Sequence, residues 1–376
     1  MKILQIVPYC LPYRGGQERY VYNLSKYLVR HGHDVEIITS NYPYSPECET
    51  SEGIRITRHR CLARPMRNPL TPAFMTLSQE SKECDIVHTH NEHSTAAMAA
   101  AFLRNGRCAP LMLTCHGQLI FGDPFHDAME KVYSKTIGRR IFSRVDRIAV
   151  NSAEDRDYVL SINASVSDKI SILHNAIDPE FFDGISGSNG IFDLSGRTNL
   201  LYVGRLIRRK GLEWLIRAMA IIRQSGNGRD VRCIMVGEGE DREYFERLIR
   251  DQGVQESVIL AGDISLDELV YLYRHTDLFV LPSLSEVCPT VVLEAMYFGL
   301  PVVTTDIPGV RDHFTGSALL VPPKDEMSLA RAILSVIDDK NTAVRLARTG
   351  QDMVTRKYLW SRVSKAYESI YRSMGA

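Results

Sequence analysis

The chain has 376 residues, 44% of them apolar and 24% charged, and its 45 basic residues balance 45 acidic ones. Such a composition belongs to a soluble globular protein long enough for two domains of ordinary size, without short-period repeats or low-complexity tracts. Electrical neutrality excludes a whole-molecule field that would recruit nucleic acid, so any polyanionic ligand has to be met by a local cluster of charge.

In chain order, the first apolar run, KILQIV, has the length of a strand and is followed at once by prolines and glycines. It is too short for a secretory h-region, and no later stretch reaches the ~18 apolar residues of a membrane span. Short apolar runs then alternate with stretches of helical period, the pattern of βα units around parallel sheets. In the first half the expected strands are KILQIV, DVEIITS, GIRITRH, DIVHTH, PLMLTCH, RIAVNS and KISILH, with helices beginning near Gln17, Ser94, Pro124 and Ala153. Residues 174–198, rich in Gly, Ser, Asn and Asp, break the alternation and read as a hinge. It restarts with NLLYVG, RCIMVG, SVILAG, DLFVLP, PVVTT and ALLVP and ends in a helix where Leu359, Val363, Tyr367 and Ile370 recur at helical spacing. The expected fold is therefore α/β, with two doubly wound, Rossmann-like parallel-sheet domains over residues 1–178 and 198–356. A linker over 179–197 joins them, and a terminal helix over 357–376 packs back on the first domain. Open α/β sheets bind ligands at the carboxyl ends of their strands, so a cleft between two such edges is the expected site.

The strand ends carry the candidate chemistry. YRGGQERY (13–20) is not the GxGxxG of a nicotinamide dinucleotide site, which disfavours a dehydrogenase. Gly15 and Gly16 make either a simple turn or a helix start at which a phosphate or sugar can approach the backbone. HTHNEH sets His88 and His90 on one strand face, but the pattern with His93 places no third ligand, and no metal site is expected. His116, in TCHGQLIFGDP (114–124), is either structural or placed to hydrogen-bond a sugar hydroxyl. Between 131 and 147, Lys131, Lys135, Arg139, Arg140, Arg144 and Arg147 face a single acid, Asp146. The first three line one helix side, and with Ile137, Ile141 and Phe142 on other faces this is either a solvated face or a surface for an anionic membrane.

In VGRLIRRKG (203–211), Arg205 and Lys210 leave a strand through a loop, so a fork and a point charge can reach one diphosphate; Arg208 and Arg209 read as solvated. In LPSLSEVCPTVVLEAMYFGLPVVTTD (281–306), Pro289 suits the first turn of a helix starting near Cys288 and Pro289. Glu286 then lies in the preceding loop, and the free amides of Thr290 and Val291 turn partial positive charge toward a phosphate. Glu286 and Glu294 stand far enough apart to touch different parts of one ligand, a sugar ring and a ribose. The alternative is that Glu286 caps the helix and Glu294 pairs with a nearby base. The eight cysteines are scattered without a CxxC pair, as expected for reduced, cytosolic thiols.

Taken together, GGQE after the first strand, HG at 116, GRLIRRKG, VGEGE, GDIS followed by EL, and the E-x7-E ahead of AMYFGLPVV resemble the retaining glycosyltransferase family 4 (group 1), of GT-B architecture. The resemblance runs through both domains. It implies transfer of a sugar from a nucleotide diphosphate sugar to a glycan, lipid-linked or small acceptor, with the anomeric configuration kept and no required metal or cofactor. By matching positions, Gly16 would offer its backbone to the donor phosphate or the acceptor, and Arg205 and Lys210 would bind the diphosphate. Glu294 would hold the ribose, Glu286 the transferred sugar, and His116 its C6 side. Two departures stand out: Cys288 and Pro289 where the family often has Phe-Gly, and Ala176 in NAID where it has glycine, a position at which a left-handed backbone would be strained. A nucleotide-sugar 2-epimerase shares the architecture but fits R-x4-K with E-x7-E less well, and a non-catalytic nucleotide-sugar-binding subunit is the other alternative. The expected location is the cytoplasm, at the cytoplasmic face of a membrane if the basic stretch binds one.

Overall fold

The computed structural model describes residues 1–13, 15–75, 83–102, 109–118, 124–187, 192–225 and 230–375. It divides into two compact units, Met1–Asn175 together with Trp360–Ala376, and Ala176–Leu359.

The first unit holds β1 (Lys2–Ile6), β2 (Asp34–Ser40), β3 (Cys48–Ser51), β4 (Ile54–His59), β5 (Ile86–His90), β6 (Leu111–Thr114), β7 (Arg147–Val150) and β8 (Ile170–Ile172). They form one sheet in the order β3-β4-β2-β1-β5-β6-β7-β8, parallel throughout except for the β3–β4 pair. Helices cover both faces, so the inner strands are buried on both sides: Ile3, Leu4, Ile6, Ile86, Val87, Leu111, Met112 and Leu113 lie inside, and so do the polar Gln5, His88 and His90. The order reverses beside β1, where β2 lies on one side and β5 on the other, and this opens a switch point at the carboxyl ends of β1 and β5. The edge strand β3 was not expected, because CETS is polar and short. Its signal is the two-residue turn Glu52–Gly53, both with positive φ (48° and 82°), which closes a hairpin onto β4.

Helix α1 (Gly16–Arg30) follows β1 and packs against the last helix, which spans Trp360–Ser373. That helix buries Trp360, Val363, Tyr367 and Tyr371, so its inward face is set by Trp360 and Tyr371, where Leu359 and Ile370 were expected. Tyr20 and Tyr367 share a hydroxyl hydrogen bond of 2.6 Å, Tyr367 bonds Thr114 Oγ1 at 3.0 Å, and Trp360 meets the Tyr20 ring edge-on at 4.7 Å.

The second unit holds β9 (Thr198–Val203), β10 (Val231–Val236), β11 (Val258–Gly262), β12 (Leu278–Leu281), β13 (Val302–Thr305) and β14 (Leu319–Val321), all parallel in the order β11-β10-β9-β12-β13-β14. This is the doubly wound arrangement, with its switch point between β9 and β12. The expected linker, 179–197, groups with this unit, whose first residues are tied down: Ile177 N donates to Tyr358 O at 2.9 Å. Ala176 is absent from the positive-φ residues, so alanine in place of glycine brings no strain there.

The basic stretch 131–147 is not one continuous helix. A helix over Pro124–Tyr133 runs into a π-helical turn, Ser134–Gly138, and then a short helix, Arg139–Arg144. The wider turn swings Ile141 and Phe142 fully into the core and leaves Ile137 packed against it, so these three give no apolar surface. The apolar side chains that do face outward are Phe125, Met129 and Val132. Among the described residues no helix is long and apolar enough to cross a membrane.

Candidate active site

Two loops at the switch point of the second sheet carry most of the candidate residues. After β9 the chain passes Arg205, makes a 3-10 turn over Arg208–Lys210, and enters a helix (Leu212–Gln224) through Gly211. Gly211 is required twice over: its φ is +68°, and a Cβ there would overlap the carbonyl oxygen of Pro282 in the loop after β12. Leu284 N donates to Arg209 O at 2.9 Å, which fastens the two loops to each other.

That fastening brings Lys210 to Glu286. Lys210 Nζ donates to Glu286 Oε1 at 2.5 Å, and Ser283 Oγ donates to the same oxygen at 2.6 Å. Both charged side chains are mostly buried, with 16% of Lys210 and 12% of Glu286 exposed, so the pair is screened far less than a surface pair. Tyr202 lies fully buried nearby, its hydroxyl donating to Arg205 O at 3.0 Å; burial, and then the Glu286 charge, push its phenol up. On the far side, a Cβ at Gly309 would overlap the backbone oxygen of Glu286, so the glycine lets the next loop close behind the carboxylate.

Arg205, at the head of the same loop, is more than half exposed and reaches Glu240 at 3.5 Å. Arg208 is not simply solvated: its guanidinium lies 4.0 Å from the centre of the Tyr244 ring and its amide donates to Asp241 Oδ2 at 2.8 Å.

The helix after Glu286 runs from Thr290 to Tyr297. Pro289, expected in the first turn, is instead the N-cap, with an extended ψ of 112°. Its carbonyl accepts from Val292 at 3.1 Å, and no side chain caps the end, which leaves the Thr290 and Val291 amides as the helix's positive pole. Glu294, one turn further on, is buried and accepts a hydrogen bond from Tyr273 Oη at 2.9 Å. Cys288 turns into the core, 7% exposed.

Gly16 and His116 belong to the first unit. Gly15 is the N-cap of α1, and a Cβ on it would overlap Glu18 Oε2, whereas Gly16 faces open space. His116 ends a chain of hydrogen bonds that crosses the sheet. Gln5 Oε1 accepts from His90 Nε2 at 2.9 Å, so His90 Nδ1 is the acceptor in its 3.0 Å bond with His116 Nε2, and His116 Nδ1 keeps a lone pair. Burial holds His116 down to about 4 and His88 to about 3, so both rings are neutral at pH 7. His88 is held by Tyr371 Oη at 2.7 Å and Thr114 Oγ1 at 2.8 Å, and His93 reaches Glu130 at 3.3 Å. The three histidines thus have separate protein partners, and among the described residues no His, Cys, Asp and Glu side chains group to hold a metal ion. Sequence reasoning missed Ser283, Gly211, Gly309 and Tyr273. Only the glycines had a signal, since each follows a strand at the start of a helix.

The profile of the Glycosyltransferase Family 4 matches residues 14–181, and that of the Glycosyl transferases group 1 matches 193–353, so the two together cover both units. The chain belongs to the group 1 glycosyltransferases. An uncharacterized glycosyltransferase of Methanocaldococcus jannaschii is 29% identical, with 95% of this chain and 94% of that one aligned. Glycogen synthase of Mycobacterium tuberculosis is 26% identical over 95% of this chain and 91% of its own. Among solved structures, sucrose-phosphate synthase of Thermosynechococcus elongatus superposes with a TM-score of 0.80 at 23% identity, covering 99% and 98% of the two chains. HepE of Anabaena, in complex with UDP, superposes with a TM-score of 0.75 at 18% identity over 99% and 100%. These likenesses establish the GT-B fold of this glycosyltransferase.

Proposed function

We propose that this glycosyltransferase moves a sugar from a nucleotide diphosphate sugar to a glycan, lipid-linked or small acceptor, retaining the anomeric configuration and requiring no metal. The observation that carries the reading is the mostly buried Lys210–Glu286 pair, held at the switch point of the second sheet beside an uncapped helix N-terminus. Departure of a nucleotide diphosphate places negative charge on the leaving oxygen, and fixed cations and amides aimed at it can each contribute roughly 3 kcal/mol in the transition state. Lys210, Arg205 and the amides of Thr290 and Val291 would supply that charge. Glu286 would orient the transferred sugar, Glu294 would take the ribose hydroxyls, and Gly16 would let the donor phosphate or the acceptor approach α1. His116, its Nε2 proton committed to His90, would offer Nδ1 to a sugar hydroxyl. The nucleotides of structural relatives support a donor of this class, since HepE of Anabaena was solved with UDP-glucose and starch synthase IV of Arabidopsis thaliana with ADP.

The test is product analysis after incubation with UDP-, GDP- and ADP-sugars, with and without candidate acceptors. A glycoside with the donor's anomeric configuration by proton NMR is expected. An inverted glycoside would remove retention, an isomeric nucleotide sugar would make the chain an epimerase, and no turnover with tight nucleotide binding would make it a binding subunit.

The reading includes a peripheral contact with an anionic membrane. It is supported by the exposed Phe125, Met129 and Val132, spaced to share one helix face, and by the exposed Lys131, Lys135, Arg139 and Arg140 around them. Sedimentation with phosphatidylserine vesicles at low salt, reversed at high salt, is the expected behaviour, and no sedimentation at low salt would end the proposal.

A further inference from the structure

The loops that follow β1, β2 and β4 in the first unit meet in an aromatic cluster to which the reaction above assigns no role. Tyr9 and Tyr13 stack with ring centroids 4.4 Å apart and planes 11° from parallel, and Tyr42 lies 6.2 Å from each. Arg64 threads between them. Its Nε donates to Tyr9 Oη at 3.1 Å, and its guanidinium carbon sits 3.4 Å from the centre of the Tyr42 ring. Among the described residues no carboxylate pairs with Arg64, and its two Nη groups have no protein acceptor. A cation in this position is free to bind an anion without displacing one.

The neighbouring arginine shows the contrast. Arg58 is buried, with Nη2 donating to Glu49 Oε1 at 2.6 Å and Leu11 O at 2.7 Å, and Nη1 to Pro46 O at 3.1 Å. It is neutralised, and it pins the loops that carry the tyrosines. Asn41 and Ser45 exchange two further bonds, of 3.0 and 2.9 Å, which brace the turn holding Tyr42 and the almost fully exposed Tyr44. The platform is therefore fixed before any ligand arrives, which lowers the ordering cost of binding.

Rigid aromatic faces suit the apolar faces of pyranose rings, and a guanidinium with open N–H pairs suits a carboxylate or phosphate. Tyr9 is buried and backs Tyr13, so we propose that Tyr13, Tyr42 and Arg64 form a binding site for a saccharide that carries an anionic group, a carboxylate or a phosphate. That such a saccharide is the acceptor rests on the glycosyltransferase reading; that it binds here does not.

Saturation-transfer NMR on the whole protein, without nucleotide sugar, tests the site with glucuronic acid, glucose 6-phosphate, glucose and orthophosphate at millimolar concentration. At least one acidic sugar is expected to bind about tenfold more tightly than glucose, as a charge-assisted hydrogen bond implies, and the two acidic sugars show which anion is taken. Arg64→Gln should abolish that preference while leaving the melting curve in place, and Tyr13→Ala should weaken every sugar. Failure of both acidic sugars to bind, an affinity for glucose equal to theirs, or a preference that survives Arg64→Gln would overturn the proposal. Equal displacement by orthophosphate would reduce the site to an anion site and overturn its saccharide part. A protein that binds acidic sugars but transfers none would lose the catalytic reading and keep this one.

Discussion

At the residue scale, the chemistry turns on one carboxylate oxygen. Glu286 Oε1 accepts from both Lys210 and Ser283, so the side chain is fixed in place while its second oxygen stays available. Glu286→Gln is expected to leave the affinity for a nucleoside diphosphate nearly unchanged and to lower kcat about a hundredfold through misplacement of the sugar. Lys210→Ala should also weaken nucleotide binding, about tenfold or more, because a charge-assisted bond is lost and Glu286 is left unpaired. Titration calorimetry and steady-state kinetics read the two effects separately, and unchanged kcat in both variants would remove the assignment. A second carboxyl reports on the first unit. Burial pushes Glu18 up to about 7 from its usual 4.5. The folded chain therefore holds this proton more tightly than the unfolded one, so the contribution of Glu18 is full below about pH 4.5 and is lost as pH rises to 7. Glu18→Gln abolishes that titration. In urea unfolding its stability relative to the parent should rise across that window by roughly 3 kcal/mol and level off above pH 7. A difference that ignores pH would show that the carboxyl is not held in this surrounding.

At the scale of elements, the last helix is a structural member of the first unit. It supplies the hydroxyls that satisfy His88 Nδ1 and Tyr20 in the interior. Tyr371→Phe strips a fully buried histidine nitrogen of its partner and is expected to cost about 1–3 kcal/mol, visible as a lower urea midpoint at unchanged slope. An unaltered midpoint would mean that water reaches the ring. Thirteen of the strands could be read from sequence because most carry short apolar runs bounded by turn residues, while β4 shows the apolar–polar alternation of a strand with one open face. The polar edge strand β3 escaped because its evidence lies in a turn and its pairing partner. Pattern also placed Glu286, Lys210 and Arg205 at strand ends. It could not show that Lys210 and Glu286 pair, since that contact depends on Gly211 admitting Pro282, a matter of backbone approach between loops distant in sequence. The inward face of the last helix was misread for a related reason: tyrosine and tryptophan count as surface or core according to whether a hydroxyl or ring finds a partner. Here Thr114, Tyr20 and His88 supply those partners.

At the scale of the molecule, the two units differ in how the chain builds them. The second is one continuous segment, Ala176–Leu359, with its own core and complete sheet, whereas the first is assembled from two separated segments. A fragment of residues 176–359 is expected to unfold in a single cooperative transition and to bind nucleoside diphosphate, while residues 1–175 alone should show no such transition until a peptide of residues 360–376 is added. Calorimetric scans of the fragments check this, and a cooperative melt from 1–175 alone would contradict it. The same discontinuity has a consequence during translation. The half of the protein that leaves the ribosome first cannot close over Tyr20 and His88 until residue 371 has been made, a delay of roughly 10–40 s at ~5–20 residues per second. Through that interval, while the second unit is itself still being made, the first-made segment carries an open apolar seam, the kind of surface that chaperones cover.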